Sequence, residues 1–232
     1  MDYVALGMIW YVVFIISVTF HEACHGFAAV KLGDPTAHHH GLVTLDPVPH
    51  IRRNPFGMVV IPILSFLLSG WMIGWASAPF DPHWAMNNRK RAALMSLAGP
   101  AANLVLVLAA ALIIRGGMLF GFFHPPEAST FTKITEASVL GLANSAAIVV
   151  SILFSLNLIL LVFNLIPLPP LDGSNILLFF LSDRAAERYE ALLCQPTYSM
   201  MGLIIAWQVF DPVFGPIYTL ALNILYPGAG YH

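Results

Sequence analysis

Residues 3–32 read YVALGMIWYVVFIISVTFHEACHGFAAVKL, a long and almost uninterrupted apolar run. A helix needs roughly 20 such residues to cross the hydrocarbon layer of a bilayer. Gly33 follows directly and Pro35 comes two residues later, and both residue types end helices. The run therefore predicts a first transmembrane helix. Its polar residues, from His21 to His25, lie near the far end of that helix, about 27 Å along the axis from its start.

The apolar character extends over the whole chain. Of the 232 residues, 58% are hydrophobic and 9% are charged, and the mean hydropathy is +0.78. Because soluble domains carry about 25% charged residues, this composition predicts an integral, multi-pass protein of the cell membrane. The net charge of -2 offers no basic face for nucleic acid, and two cysteines do not make a disulfide framework. We expect one integral membrane domain over residues 1–232.

Three further apolar segments are long enough to be membrane helices, at residues 92–115, 143–166 and 199–225. The segment 57–77 is interrupted by glycines and is predicted to be a re-entrant hairpin, with an ordinary single span as the alternative. Residues 42–45 predict a short strand. The expected fold is an all-α polytopic membrane protein with four to six transmembrane segments, a re-entrant hairpin and a short β element after the first helix.

Positive charge is unevenly distributed among the connecting segments. Cytoplasmic loops of membrane proteins are enriched in lysine and arginine, so the charged end of the first helix is predicted to face the cytoplasm. This orientation requires residues 57–77 to return to the side that they left. The residues that it places in the cytoplasm are Lys31, Arg52, Arg53, Arg89, Lys90, Arg91, Arg184 and Arg188.

The sequence His21-Glu22-Ala23-Cys24-His25 has the spacing of a metal site on a helix. Two histidines four residues apart share one helical face, about 40° apart, so both imidazoles can reach one metal ion. Glu22 projects roughly 100° from His21 and is placed to activate a metal-bound water. Cys24 lies close to the same face, but a small residue there is more typical of packing.

A catalytic zinc usually has three protein ligands and a water, so a third ligand is expected from another segment. Asp172 is the best candidate, because it follows a long apolar helix and a proline-rich break that return it to the depth of the histidines. An unpaired carboxylate costs about 2.5–3.5 kcal/mol in a membrane segment, so Asp172 and Glu22 both need partners. The sequence thus predicts that His21, His25 and Asp172 bind one Zn²⁺.

The order and spacing of these motifs resemble the site-2 protease family of intramembrane zinc metalloproteases, in the compact prokaryotic form without a PDZ or CBS module. Lesser similarities lie in residues 32–37, in residues 44–50 and around Gly74. Together they cover residues 20–180. The motifs that carry the resemblance are His21-Glu22-Ala23-Cys24-His25, Ala98-Gly99-Pro100-Ala101-Ala102-Asn103 and Asn164-Leu165-Ile166-Pro167-Leu168-Pro169-Pro170-Leu171-Asp172-Gly173.

The resemblance implies roles for individual residues and a three-helix catalytic core. It makes His21, His25 and Asp172 the zinc ligands and Glu22 the general base. Asn164 and Asn103 correspond to motif asparagines beside the metal. An amide N–H there could hold the substrate carbonyl or the developing oxyanion, which would be a catalytic role. Hydrogen bonding between membrane helices is the alternative for both.

The function expected from these features is hydrolysis of peptide bonds in transmembrane segments of membrane protein substrates. The active site would lie near the cytoplasmic side of the bilayer. A proteolytically inactive homologue that binds membrane helices and a metal transporter are the alternatives. The roles of His38, His39, His40 and His50, the physiological substrate and the oligomeric state are left open by the sequence.

Overall fold

The computed structural model describes residues 2–139, 141–193 and 195–231. Within these residues, four helices are long and apolar enough to cross a membrane. The protein is therefore an all-α, multi-pass membrane protein, as predicted. The four helices are α1 (Tyr3–Leu32), α6 (Arg89–Leu119), α7 (Leu142–Leu165) and α10 (Pro196–Leu225), and the shorter ones are α2 (Thr36–His39), α3 (Pro47–Arg53), α4 (Ile61–Ser69), α5 (Pro82–Asn87), α8 (Asp172–Leu177) and α9 (Asp183–Leu193).

Helix α1 begins and ends where its capping residues predict. The Asp2 carboxylate accepts a hydrogen bond of 2.9 Å from the Val4 amide, which satisfies one of the free N–H groups of the first turn. At the other end Gly33 adopts the left-handed conformation, with φ 110°, and its N–H bonds to the carbonyls of Ala29 and Val30. The motif from His21 to His25 therefore begins a little more than three turns before the end of a regular helix.

Helices α1, α6 and α7 pack against one another and form the centre of the molecule. Trp10 and Phe14 of α1 share a buried apolar cluster with Ile152 and Leu156 of α7. Because lipid is as apolar as these side chains, close packing and hydrogen bonds between helices stabilise such a bundle more than water exclusion does. One end of the bundle, called the site end below because it carries the His21–His25 motif, is formed by the end of α1, the start of α6 and the end of α7.

Residues 56–81 form a hairpin that includes the segment predicted at residues 57–77. A π-helix, Phe56–Val60, leads into α4, and Gly70 ends α4 with φ 78°. An extended segment, residues 71–81, then runs back, and the Trp75 N–H bonds to the Gly57 carbonyl at 3.1 Å. A Cβ atom at Gly57 would collide with the Trp75 carbonyl, so glycine is what allows the two limbs to touch.

The hairpin runs along the length of α1 and returns. Near its tip, the Phe66 carbonyl accepts a hydrogen bond of 2.8 Å from the Tyr3 hydroxyl at the start of α1. At its base, the Asp81 N–H bonds to Asp34, just beyond the end of α1, at 2.9 Å. Because the hairpin lies beside a membrane-spanning helix, its irregular backbone is tolerated only where protein surrounds it.

The strand predicted at residues 42–45 is wrong, because the chain bends at Val43, Thr44 and Leu45. Leu42 is buried, and the Thr44 carbonyl accepts a hydrogen bond of 3.0 Å from the His50 ring, so this backbone is satisfied locally. No described strand lies alongside to pair with it. The sheet that the structure describes has two short antiparallel strands, β1 (Phe123–His124) and β2 (Glu136–Ala137), at the opposite end of the bundle.

Candidate active site

The three predicted metal ligands meet at the site end of the bundle. His21 and His25 project from α1, and their Nε2 atoms are 3.0 Å apart. Asp172, the first residue of α8, places its Oδ2 atom 3.2 Å from Nε2 of His21 and 3.3 Å from Nε2 of His25. Among the described residues, these three form the one group of His, Cys, Asp or Glu side chains arranged closely enough to hold a metal ion.

The hydrogen bonds behind the imidazoles determine which nitrogens face the site. His21 Nδ1 lies 2.6 Å from the Asn103 Oδ1 atom, and His25 Nδ1 lies 2.8 Å from the Met95 carbonyl oxygen. Both of these oxygens can only accept, so each Nδ1 carries a proton and each Nε2 is the nitrogen that faces the site. Both histidines are less than 10% exposed.

The site fits a bound cation. Two Nε2 atoms and a carboxylate oxygen lie within 3.3 Å of one another, and Asp172 Oδ2 is buried without a hydrogen-bond partner among the described residues. Acceptors crowded in this way repel one another unless a positive charge lies between them. Two imidazole nitrogens and one carboxylate oxygen are the kind of donor set that catalytic zinc sites use.

Gly99 of α6 keeps the space in front of the imidazoles free. A Cβ atom at this position would lie 2.5 Å from His21 Nε2 and closer still to His25 Nε2. The absence of a side chain therefore lets α6 approach α1 without filling the place where the two nitrogens converge.

The proline-rich break places Asp172 opposite the histidines. Helix α7 ends at Leu165, and α8 begins only at Asp172, so the chain between them turns back. A Cβ atom at Gly173 would lie 2.5 Å from the Leu165 carbonyl oxygen, so only glycine permits α8 to begin this close to the end of α7. The sequence predicted this return from the proline residues.

Glu22 lines a cavity of about 190 Å³ that opens beside the ligands. Its side chain is 6% exposed. Asn164 and Asn175 line the same cavity, as does Ser96 of α6. A carboxylate, two amides and a hydroxyl thus border a space large enough for a few water molecules or part of a peptide.

The two predicted asparagines lie in different places. Asn164 borders the cavity, and its Nδ2 atom donates a hydrogen bond of 3.0 Å to the Leu160 carbonyl oxygen. Asn103 is completely buried behind His21, which it contacts through Oδ1, and its Nδ2 donates to Asn157 Oδ1 at 2.9 Å. The structure therefore gives Asn103 a contact with a predicted metal ligand and places Asn164 in the same cavity as Glu22.

Asn157 is a buried polar residue that the sequence reasoning missed. It is fully buried in α7 and donates to Ser17 of α1 at 2.9 Å and to the Leu153 carbonyl at 2.8 Å. A signal was present, because an asparagine in the middle of an apolar membrane helix needs a hydrogen-bonding partner. Which partner it finds could not be read from the sequence.

The extended segment of the hairpin covers one side of the cavity with residues 76–80. Asp34, which is 1% exposed, holds the end of this segment. Its Oδ2 accepts from the Asp81 N–H, and its Oδ1 accepts from the Thr36 N–H and hydroxyl at 2.9 and 2.5 Å. Burial raises the pKa of Asp34, but the hydrogen bonds from Thr36 and Asp81 outweigh it, so the pKa lies below its usual value.

The other histidines and cysteines lie apart from the ligands. His38, His39 and His40 are exposed on and just after α2. His50 is buried and bonds to the Thr44 carbonyl. Cys24 has a free thiol and does not belong to the metal-binding group, and Cys194 lies outside the described residues.

Comparison with known proteins identifies a family and several relatives. The model of Peptidase family M50 matches residues 9–207. "Putative zinc metalloprotease YwhC" of Bacillus subtilis is 35% identical over 179 residues, which are 75% of this chain and 71% of that protein. No solved structure matches the chain significantly.

Two mycobacterial proteins are also similar, and both carry the name "Putative zinc metalloprotease Rip2". The protein of Mycolicibacterium smegmatis is 29% identical over 173 residues, covering 75% of this chain and 57% of the relative. The protein of Mycobacterium tuberculosis is 34% identical over 162 residues, covering 68% of this chain and 52% of the relative. The chain thus spans little more than half the length of these two relatives. The family match and the Bacillus relative show that the chain belongs to peptidase family M50, the site-2 protease family of zinc metalloproteases.

Proposed function

We propose that this protein is an intramembrane zinc endopeptidase that hydrolyses peptide bonds in the transmembrane segments of other membrane proteins. The observation that supports this most directly is the convergence of His21, His25 and Asp172 at the end of long apolar helices, with Glu22 beside them in one cavity. Hydrolysis needs an acid or base in addition to the metal, and Glu22 is the carboxylate available for it.

The proposed chemistry assigns the metal to His21, His25 and Asp172. A zinc ion bound there would act as a Lewis acid, which makes a water molecule more acidic and a peptide carbonyl more electrophilic near neutral pH. Glu22 would take a proton from the attacking water on a carboxylate oxygen and later pass it to the leaving amine. The small cavity limits how much water reaches these groups, which strengthens their electrostatic interactions.

Asn164 is proposed to bind the substrate carbonyl. One of its two Nδ2 protons goes to the Leu160 carbonyl. The other is available to an oxygen in the cavity that Asn164 lines. A donor placed where negative charge develops during peptide hydrolysis lowers the barrier, because the interaction strengthens in the transition state.

The substrate is proposed to unwind before it is cut. A helical transmembrane segment hides its carbonyl groups in its own hydrogen bonds, so they are inaccessible to a nucleophile. The cavity lies between two stretches of irregular backbone, residues 76–80 and the break around Pro170. Exposed backbone groups in such stretches can pair with an extended peptide.

The active site is proposed to face the cytoplasm. Eight of the ten Lys and Arg residues lie on segments at the site end of the bundle, and the other two, Arg115 and Lys133, lie toward the opposite end. Lysine and arginine are enriched on the cytoplasmic side of membrane proteins.

The test uses Glu22→Gln in proteoliposomes that contain single-span proteins with glycine or proline in the transmembrane segment. We expect the wild type to cut some of these substrates, and Glu22→Gln to bind zinc equally but to leave all of them intact. Glu127→Gln, an exposed change in the loop at the opposite end, is the matched control and should behave as the wild type. Cleavage by Glu22→Gln would reject Glu22 as the base. Zinc uptake into vesicles without any cleavage by the wild type would favour the transporter.

A further inference from the structure

His21 is connected to the middle of the bundle by a chain of buried hydrogen bonds. Its Nδ1 contacts Asn103 on α6, Asn103 contacts Asn157 on α7, and Asn157 contacts Ser17 on α1. Each of these three partners is 0% exposed. This series of hydrogen bonds thus crosses all three central helices and returns to α1, one turn before His21.

The direction of every hydrogen bond in this chain follows from one backbone carbonyl. The Leu153 carbonyl can only accept, so Asn157 Nδ2 donates a hydrogen bond to it. This orientation of the Asn157 amide turns its Oδ1 atom toward Asn103. An oxygen there requires Asn103 to present its Nδ2 to Asn157 and its Oδ1 to His21. An oxygen beside His21 Nδ1 requires that nitrogen to carry the proton.

The proton of His25 is held on Nδ1 by a single hydrogen bond to the backbone. Its Nδ1 faces the Met95 carbonyl oxygen directly, and a backbone carbonyl cannot turn round. The Asn103 side chain can, because its oxygen and nitrogen exchange places when the amide rotates by 180°. If Asn103 turned its Nδ2 to His21, the ring would accept there and carry its proton on Nε2, the atom needed for the metal.

We propose that Asn157 is a positioning residue that fixes the tautomer of His21 through Asn103. The proposal builds on the zinc site proposed above. Asn157 is not among the residues that line the cavity, and its hydrogen bonds go to Asn103, Ser17 and the Leu153 carbonyl. Its effect on His21 therefore passes through the Asn103 amide. Outer partners that orient a metal-binding histidine typically contribute 10- to 100-fold to metal affinity.

The main test replaces Asn157 with leucine, which has a similar size and no hydrogen-bonding group. We expect Asn157→Leu to weaken zinc binding 10- to 100-fold, measured by competition with a chelator in detergent at one fixed pH. Ser155→Ala is the matched control, because Ser155 is equally buried on the same helix and its hydroxyl has no partner among the described residues. It should bind zinc as the wild type does.

A second variant separates control of the tautomer from a general loss of packing. In Asn103→Asp, an ionised carboxylate beside His21 can only accept, whichever way it turns, so Asn157 is no longer needed to orient it. Its second oxygen would face the Asn157 Oδ1 atom as an opposed acceptor, which leucine removes. We therefore expect Asn157→Leu not to weaken zinc binding in this background. An equal loss in both backgrounds would show that Asn157 acts through packing alone and would overturn the proposal.

The tautomer itself can be observed without zinc and without Asn157→Leu having to fold. Nitrogen-15 NMR of histidine-labelled, zinc-free wild type shows whether the Nδ1 atom of His21 carries a proton. The signals of His21 are those lost in His21→Gln. We expect a proton on Nδ1, and an Nδ1 atom without a proton would overturn the proposal. Because this measurement needs no zinc and no substrate, it can fail for the positioning role of Asn157 independently of the proposed protease function.

Discussion

Gly99 on α6 faces His21 on α1 so closely that a Cβ atom at residue 99 would lie 2.5 Å from the His21 Nε2 atom. This nitrogen is the one that its neighbours leave free for a metal. The bare Cα of Gly99 therefore forms part of the wall of the proposed metal site. A methyl group placed there would compete with the ion for the same space.

Gly99→Ala tests whether that space is needed. We expect zinc content after dialysis to fall from about one ion per chain to below a tenth of that, because the methyl group must displace the imidazoles or the metal. Gly116→Ala on the same helix is the control, since a Cβ atom there has no neighbour within 4 Å. Metal analysis of both proteins decides the outcome. A full complement of zinc in Gly99→Ala would show that the ion lies elsewhere.

Asp172→Asn tests the third ligand with almost no change in shape. A neutral amide is a much poorer zinc ligand than a carboxylate, so we expect at least a 100-fold loss of zinc affinity in a chelator competition. Asp211→Asn, an exposed change on α10, should have no effect. If Asp172→Asn retained wild-type affinity, the carboxylate would not bind the metal.

Removal of zinc should affect thermal stability in a way that depends on Asp172. Asp172 Oδ2 lies 3.2 and 3.3 Å from the Nε2 atoms of His21 and His25, so one bound cation would contact all three atoms. We expect a chelator to lower the Tm of the wild type, because a ligand that binds only the folded state stabilises it by mass action. The Tm of Asp172→Asn should not respond to the chelator. An unchanged Tm in the wild type would contradict this account.

The sequence predicted those parts of the site that rest on local spacing. His21 and His25 share a face because four residues make a little more than one turn, and the run of apolar residues around them fixed their depth. Asp172 could be matched to them because proline and glycine residues mark where α7 must end. These are properties of a few consecutive residues.

The remaining parts depend on which helices become neighbours. That Asn103 would contact His21, and Asn157 would contact Asn103, follows from the packing of α6 between α1 and α7, which spacing along the chain does not reveal. Asp34 seemed only to mark the end of a helix, yet it holds Asp81, 47 residues away. The strand predicted at residues 42–45 failed because β propensity is expressed only beside a partner strand.

Asp34→Asn should loosen the segment that covers the cavity. An asparagine can still accept from Thr36 but then places an NH₂ group against the Asp81 N–H, so one charge-assisted hydrogen bond, about 1.5–3 kcal/mol, is replaced by two opposed donors. We expect faster amide exchange in residues 76–81, measured by mass spectrometry. In the control Asp46→Asn, the N-cap of α3 is kept by an equally good capping residue. Equal exchange in wild type and Asp34→Asn would show that Asp34 does not hold the segment.

The same aspartate predicts how stability depends on pH. Because the pKa of Asp34 is lowered in the folded state, its carboxylate stabilises the fold above the unfolded pKa of about 3.9, and this contribution is lost as the pH falls through the folded pKa. The difference in Tm between wild type and Asp34→Asn should therefore be constant from about pH 8 to 5 and shrink below about pH 4. A difference that already shrank between pH 8 and 6 would implicate another group.

Asn164→Ala tests for a donor to the developing oxyanion. Asn164 borders the cavity but is not one of the three ligands, so its loss should leave zinc affinity unchanged while kcat falls by about 10²- to 10³-fold, the usual effect of removing one such donor. Asn144→Ala, an exposed change in the first turn of the same helix, should keep full activity. The measurement is single-turnover cleavage of a transmembrane substrate by zinc-loaded protein. A loss of zinc together with activity would instead place Asn164 in the support of the ligands, and an unchanged kcat would remove it from the chemistry.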